Sequence, residues 1–232
     1  MTEKFLTKSY GKRGETEVRA HYDAWAASYD DEIAANGYAT PGRCAAALAQ
    51  TGLKTNAPIL DLGCGTGLSG LALMLKGFSI VDGTDLSPGM LEQARARGLY
   101  RQLYEGEPDG GLPPGPYQAI CAVGVISPGA APVSILKAAL AALPRGGCLV
   151  FSYNDHALAD DSYTQGLAEV VNDGTARMIF EEMLAQMFAR IPDWEIDYTG
   201  AHRYRSVGTI NGWESMPIRF PPGPKVACDL TL

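Results

Sequence analysis

Long apolar runs are missing from this sequence: none approaches the roughly 20 residues that a membrane-spanning helix requires. Although 46% of the 232 residues are hydrophobic, the chain is therefore expected to be soluble. Its opening residues, MTEKFLTKSYGKRGETEVRA, lack the apolar central segment of a secretory signal. Cytoplasmic residence is the plain expectation, and no membrane partner is sought. Paired cysteines are missing as well. Cys44, Cys64, Cys121, Cys148 and Cys228 are scattered with no C-x-x-C among them, so no zinc site or disulfide framework is indicated, and each reads as a small core or loop residue. Basic charge is in deficit, with 19 Lys and Arg against 26 Asp and Glu and a net charge of −7. Nucleic-acid binders usually present a basic face, so the charge does not promote a nucleic-acid partner. There is neither an internal repeat nor a low-complexity linker, and the length suits one α/β domain with additions.

What is present is alternation. From about Glu15 to Ala35 the pattern suits a helix, with Tyr22, Trp25, Ala26 and Tyr29 at i, i+3, i+4 and i+7 on one aromatic face. A second helix is predicted from Arg43 to Gln50, after which TNAPILDLG reads as a short buried strand bounded by turn residues. Leu68 to Lys76 continues as a helix ended by Gly77. FSIVDGTDL is a second strand and SPGMLEQARARG a helix, with Ser87 as N-cap, Pro88 at the first helical position and Gly98 past the end. Then GEPDGGLPPGP reads as loop, YQAICAVGVIS as strand, APVSILKAALAAL as helix, PRGG as turn and CLVFSYN as strand. Helical material is expected from about Ser162 to Ala189, and WEIDYTGAHRYRS and KVACDLTL read as an antiparallel pair at one sheet edge. Strands alternating with helices are the signature of a parallel sheet covered on both faces.

The stretch ILDLGCGTGLSG, Ile59 to Gly70, has two registers. From Gly65 it is G-T-G-L-S-G, which fits the G-x-G-x-x-G fingerprint of a nicotinamide or flavin dinucleotide site. From Asp61 it is D-x-G-x-G-x-G. In a dinucleotide site the helix N-terminus faces a pyrophosphate, and the local field favours an anion. A strand-end acid has no obvious use there, so Asp61 counts against that register. It suits instead a ligand with a cationic end, for which a carboxylate and backbone carbonyls are favourable partners. Asp85, 18 residues after Gly67 at the end of the second strand, is an acceptor for two ribose hydroxyls in either register.

The surrounding residues discriminate. LDLGCGTG, followed at this spacing by GTDLSPGMLEQA, resembles the class I S-adenosylmethionine-dependent methyltransferases. LPRGG before CLVFSYN is similar to that class's proline-glycine turn, with the proline and the basic residue exchanged. Within the class the chain resembles the Williams–Beuren-region methyltransferase-like proteins and their bacterial relatives. That resemblance rests on HYDAWAASYD, ILDLGCGTGLSGLAL, GTDLSPGMLEQARARGLYRQLYEGE and FSYNDHAL, and covers roughly Tyr22 to His156. It implies a Rossmann-like α/β fold with a seven-stranded, mainly parallel sheet, helices on both faces and an N-terminal helical lid. Residues 1–50 would form the cap and residues 51–232 the methyltransferase domain as one structural unit. The implied cofactor is S-adenosyl-L-methionine, with S-adenosyl-L-homocysteine as product.

The resemblance also implies roles. Asp61, Gly63, Cys64, Gly65 and Gly67 would form the methionine side of the site, and Asp85 would accept the ribose hydroxyls. Leu86 and Met90 match positions that hold adenine between apolar side chains, and Glu105 or Glu107 would face its amino group. Tyr117-Gln118 stands where the class often has an aromatic residue followed by an acid, so that acid is missing. Val123 and Gly124 lie near the active-site end of their strand, and the following VISPG is not the N/D-P-P-Y/F motif of amino-group methylation, which lowers DNA and glutamine-amide substrates. Tyr22, Trp25 and Tyr29 would exclude water over the cofactor and favour a sulfonium by cation–π contact, while an aromatic stripe at helical spacing also serves as core. If the acceptor needs a base, His156 is the candidate, beside Asn154 and Asp155; His21 and His202 have weaker claims.

The expectation is a methyltransferase acting by in-line displacement on an unidentified acceptor, a small molecule ahead of a protein. Two rivals stand beside it. One is a cofactor-binding module without catalysis that works through a protein partner. The other is a dinucleotide-dependent oxidoreductase using the G-x-G-x-x-G register.

Overall fold

A computed structural model describes residues 15–34, 38–106 and 111–178, together with the backbone of four short strands beyond them. The chain divides into two compact units, Met1–Ala176 with Val207–Ile210, and Arg177–Ser206 with Asn211–Leu232. In the first, the described elements run α1 (Glu15–Trp25), α2 (Tyr29–Ala34), α3 (Thr40–Gln50), β1 (Ile59–Leu62), α4 (Leu68–Leu75), β2 (Val81–Asp85), α5 (Pro88–Arg97), β3 (Gln102–Glu105), β4 (Ala119–Ala122), α6 (Ser134–Ala142), β5 (Cys148–Phe151), α7 (Asp155–Ala159) and α8 (Asp161–Asn172). The strands form one sheet in the order β3-β2-β1-β4-β5, parallel throughout. The fold is the α/β, Rossmann-like one expected.

Alternation along each strand decides which layer a residue enters. Ile59, Val81, Ala119 and Cys121 pack with Cys44, Ala45 and Leu48 of α3, Leu73 of α4, and Phe78. From the other face, Leu60, Leu62, Ile120 and Ala122 meet Leu136 and Ala139 of α6 and Tyr163 and Val170 of α8. Covered on both sides, every residue of β1 and β4 is buried, which is why their sequences are near-continuous apolar runs. Asp61 is the exception. Strand order reverses between β1 and β4, and in open α/β sheets ligands bind outside the carboxyl ends of the strands at such a point.

Local signals hold where they are chemically specific. Ser87 caps α5 by accepting the Met90 N–H at 3.0 Å, and Gly98 ends it at φ 64°. Element boundaries differ from expectation elsewhere. The single first helix is broken at residues 26–28: the Trp25 carbonyl accepts the Ser28 N–H at 3.0 Å, and the buried Trp25 indole donates to Glu32 Oε2 at 3.0 Å. α3 begins three residues before the predicted Arg43, with Pro41 in its first turn. The fourth strand ends at Ala122, just before Gly124 at φ 70°, rather than running to Ser127. α8 stops at Asn172, followed by Gly174 at φ 77°; residues 179–189 lie outside the described residues.

Five strands are described in the sheet rather than seven. In the second unit, β6 (Glu195–Ile196) pairs antiparallel with β9 (Ile218–Arg219), and β7 (His202–Arg203) with β8 (Trp213–Ser215), each pair a ladder of its own. The segment expected to pair with KVACDLTL thus finds its partners nearer in sequence, as antiparallel strands can because they need no long crossover. KVACDLTL itself lies outside the described residues. Among the described residues no helix is long and apolar enough to cross a membrane.

Candidate cofactor site

At the carboxyl end of β1 the chain turns through Gly63, Gly65 and Gly67, with φ of 66°, 54° and 96°. Two of these glycines serve different ends. A Cβ on Gly63 would stand 2.4 Å from Val125 Cγ2, so that turn is closed by packing, whereas one on Gly65 would meet nothing within 4 Å. The Gly65 backbone therefore faces open space, as a backbone that a ligand approaches must. The loop is tied to β2: the Cys64 N–H donates to the Thr84 carbonyl at 2.9 Å, and the Gly65 N–H to Asp85 Oδ2 at 2.8 Å. The other Asp85 oxygen accepts the Ser87 N–H at 2.9 Å. Burial raises the Asp85 pKa, opposed by these backbone N–H groups.

Asp61 is fully buried. Its Oδ2 accepts from Ser69 Oγ at 2.6 Å and from the Tyr100 hydroxyl at 2.7 Å, while its Oδ1 is buried with no partner. Burial pushes its pKa up to about 6, against the Ser69 and Tyr100 hydrogen bonds that lower it and with nearby Asp85 adding to the rise. An orphaned carboxylate oxygen inside a protein is costly, and a cationic or hydrogen-bond-donating ligand would relieve it.

The N-terminal helices are tied to this end of the sheet by carboxylates. Asp23 of α1 accepts from the Ser87 hydroxyl and from the Gly89 N–H at the start of α5. Asp30 of α2 accepts from Thr66 Oγ1 at 2.6 Å and pairs with Arg97, whose Nε donates to the Thr66 carbonyl at 2.6 Å. Arg19 pairs with Glu105. The aromatic face is assembled as its spacing suggests: Tyr22 stacks on Trp25 with ring centroids 5.9 Å apart, and Trp25 meets Tyr29 edge-on at 4.6 Å. Trp25 is the core member. Tyr29, whose pKa is raised by burial, lies within electrostatic reach of Tyr38, Tyr22, Asp85 and Asp30.

The other sequence candidates fall in different places. Cys64 packs with Leu91 and Ala94, and burial raises its thiol pKa. Cys44 and Cys121 are likewise buried and free, Cys148 is partly buried and free, and Cys228 is outside the described residues. Met90 is buried in the first turn of α5, whereas Leu86 is partly exposed beside Gly106. Glu105 is half-exposed in its pair with Arg19, and Glu107 lies outside the described residues. Val123 is buried in the α3–α4 layer, and the Gly124 N–H donates to Ser152 Oγ at 2.8 Å. Tyr117, where the acid after the aromatic is missing, donates to Asp82 Oδ2 at 3.0 Å.

Asn154 is buried and caps α7 by accepting the Ala157 N–H at 2.9 Å. Asp155 keeps a buried Oδ1 without a partner, and His156 is exposed. His21 is partly buried against Tyr22 and Trp25, at ring-centroid distances of 5.5 and 5.7 Å; His202 is described only as backbone. Among the described residues no group of three or more His, Cys, Asp or Glu could hold a metal ion.

Four residues of the site gave no sequence signal strong enough to single them out: Ser69, Tyr100, Tyr38 and Asp30. Tyr38 lies in the connection before α3, near Tyr22, Asp61 and Cys121, and burial raises its pKa. Ser69 alone had a local clue, its place in the first turn of the helix that the glycine loop opens.

An open, parallel α/β sheet whose first strand ends in a glycine turn between two acids, Asp61 buried and Asp85 partly buried, is the architecture of a nucleotide-cofactor protein. This chain belongs to the methyltransferase domain family, whose model it matches over residues 37–207. It is 38% identical over 130 residues to human methyltransferase-like protein 27, covering 54% of this chain and 53% of that protein. The chain thus spans about half the length of that curated relative. Among solved structures it is similar to a chain of the Haloferax volcanii complex of the Trm112 methyltransferase activator, at 22% identity, 64% and 66% coverage and a TM-score of 0.51, which shows the fold. A Clostridium acetobutylicum S-adenosylmethionine-dependent methyltransferase is 26% identical, with 57% of each chain covered and a TM-score of 0.45.

Proposed function

We propose that the chain transfers a methyl group from S-adenosyl-L-methionine to a small-molecule acceptor, in the cytoplasm. One observation carries the reading: the buried Asp61 carboxylate with its orphaned Oδ1, beside a glycine loop whose Gly65 backbone is open and anchored by Asp85. When bound, the cofactor supplies an electrophilic methyl on a sulfonium. The residues present fit it. Asp61 takes the α-ammonium, the backbone of Gly63, Gly65 and Gly67 makes room for the amino-acid moiety and ribose, and Asp85 accepts the ribose hydroxyls on its remaining lone pairs. Leu86 lies against the base, and Tyr22 and Tyr29 exclude water above it.

Holding an acceptor and a methyl in line at near-contact distance accounts for much of such a reaction's rate. The carboxylate ties hold α1 and α2 beside the loop and α5, and such a helical cap supports a small acceptor over a folded one. An acceptor that arrives protonated needs a base. Asp155 and His156 at the start of α7 are the proposed candidates, positioned by the Asn154 cap. Calorimetry with S-adenosylmethionine, S-adenosylhomocysteine and NAD side by side tests the reading: micromolar binding of the first two without NAD supports it, and binding of NAD alone sinks it.

A further inference from the structure

Tyr100 follows the α5 terminus, beyond LDLGCGTG and GTDLSPGMLEQA, yet its phenol reaches the centre of the site. The hydroxyl accepts the Gly70 N–H at 3.2 Å and lies 2.7 Å from Asp61 Oδ2. An amide N–H only donates, so the phenol oxygen acts as acceptor toward Gly70 and its single proton is directed at Asp61. The ring occupies space that glycine leaves: a Cβ would lie 2.4 Å from the phenol on Gly70, 3.0 Å on Gly83 and 3.3 Å on Gly67. Gly70, the residue that completes the G-x-G-x-x-G pattern, is thus where Tyr100 seats, and no dinucleotide is needed to explain it.

We infer that Tyr100 is a positioning residue for the cofactor: together with Ser69 it holds Asp61 by Oδ2 and leaves Oδ1 as the oxygen that meets the ligand's ammonium. This rests on the reading of Asp61 given above. The two hydroxyls stabilise the ionised carboxylate from one side, so the charge needed for the ammonium survives complete burial. The groups that face Asp61 are Tyr38 and Cys44 from α3 and its approach, Cys64 from the glycine loop, Asp85 from β2, Cys121 from β4, and Tyr100 itself. All of these are neutral or acidic. Buried charges are ordinarily paired; here the two hydroxyls hold Oδ2 in place of a cation, and Oδ1 is left for the ligand's ammonium.

The test uses Tyr100→Phe, which keeps the ring and removes only the hydroxyl, and Ser69→Ala. Two readouts are taken from pH 4 to 8.5: the S-adenosylmethionine dissociation constant by calorimetry, and the Asp61 carboxyl resonance of the free protein by carbon-13 NMR, with thermal unfolding to confirm folding. Each variant is expected to bind about tenfold more weakly at pH 7. Each should also raise the carboxyl midpoint, and the pH below which binding fades, by about one unit. Weaker binding with an unmoved carboxyl midpoint overturns the inference, because a packing role alone would give it, and so does an unchanged dissociation constant. If the unmodified protein binds no S-adenosylmethionine at any pH, the proposed cofactor falls together with the ammonium role. The carboxyl midpoint then still decides whether Tyr100 holds the charge on Asp61.

Discussion

Two aspartates one register step apart on neighbouring strands, Asp61 of β1 and Asp82 of β2, are both buried and live in opposite circumstances. Asp61 pairs in register with Gly83 and Asp82 with Leu60, so the two side chains leave opposite faces of the sheet. Asp82 receives both Nε and a terminal nitrogen of Arg101, at 2.9 and 2.6 Å, and the Tyr117 hydroxyl at 3.0 Å. Burial raises its pKa, but the Arg101 fork and Tyr117 outweigh that, and the carboxyl sits below its usual range. Asp61 has two hydroxyls, an unpartnered oxygen and a pKa near 6. A buried charge that is fully paired serves the fold. One left partly unpaired holds free energy that a ligand can recover on binding.

This contrast can be broken or sharpened by substitution. The largest effect is expected from Asp61→Ala, which should weaken S-adenosylmethionine binding by on the order of 100-fold, as truncating one partner of a buried charge pair does; calorimetry showing less than a threefold change would remove Asp61 from the site. Next comes a pH effect in the free protein. A folded-state pKa raised from 3.8 to about 6 means that Asp61 loses stabilisation as pH rises across that window. Asp61→Asn should therefore gain stability relative to the unmodified protein between pH 4 and 7, by about 2–3 kcal/mol, and show no further gain above. Denaturant titrations at four pH values check it. A gap that narrows with rising pH contradicts the assignment.

Arg101→Ala leaves Asp82 buried and unpaired. Since water reaches about half of the guanidinium, the expected loss of stability is about 2 kcal/mol rather than the full cost of breaking a buried pair, with cofactor affinity unchanged within twofold. A large loss of affinity would show that the two faces of the sheet are not separate in role. The smallest effect is that of Asp85→Ala, about a tenfold rise in the dissociation constant. Unchanged binding would show that the Asp85 carboxylate serves only the Gly65 and Ser87 N–H groups.

Much of this was legible in the sequence. The order of strands and helices followed from apolar runs such as ILDL and AICA, and the ends of α5 from Ser87, Pro88 and Gly98, whose preferences are local. The aromatic helix face was legible from its spacing. Its break at residues 26–28 was not, because the partners that hold the two helices separately, Gly89 for Asp23 and Thr66 for Asp30, lie far off in the sequence. Asp61 and Asp85 could be chosen as a pair from their place at two strand ends. The closing of Asp85 on the Gly65 and Ser87 N–H groups could not.

The sequence by itself determined the element order, the caps, the glycine turn and the acid that precedes it, since each depends on the conformational preference of a few adjacent residues. Only the tertiary structure decided that Tyr100 supports Asp61 from 39 residues away, that Asp23 and Asp30 tie the N-terminal helices to the loop, and that Asp82 is neutralised while Asp61 is not. Those outcomes depend on which side chains meet after the sheet forms, and periodicity carries no record of such meetings.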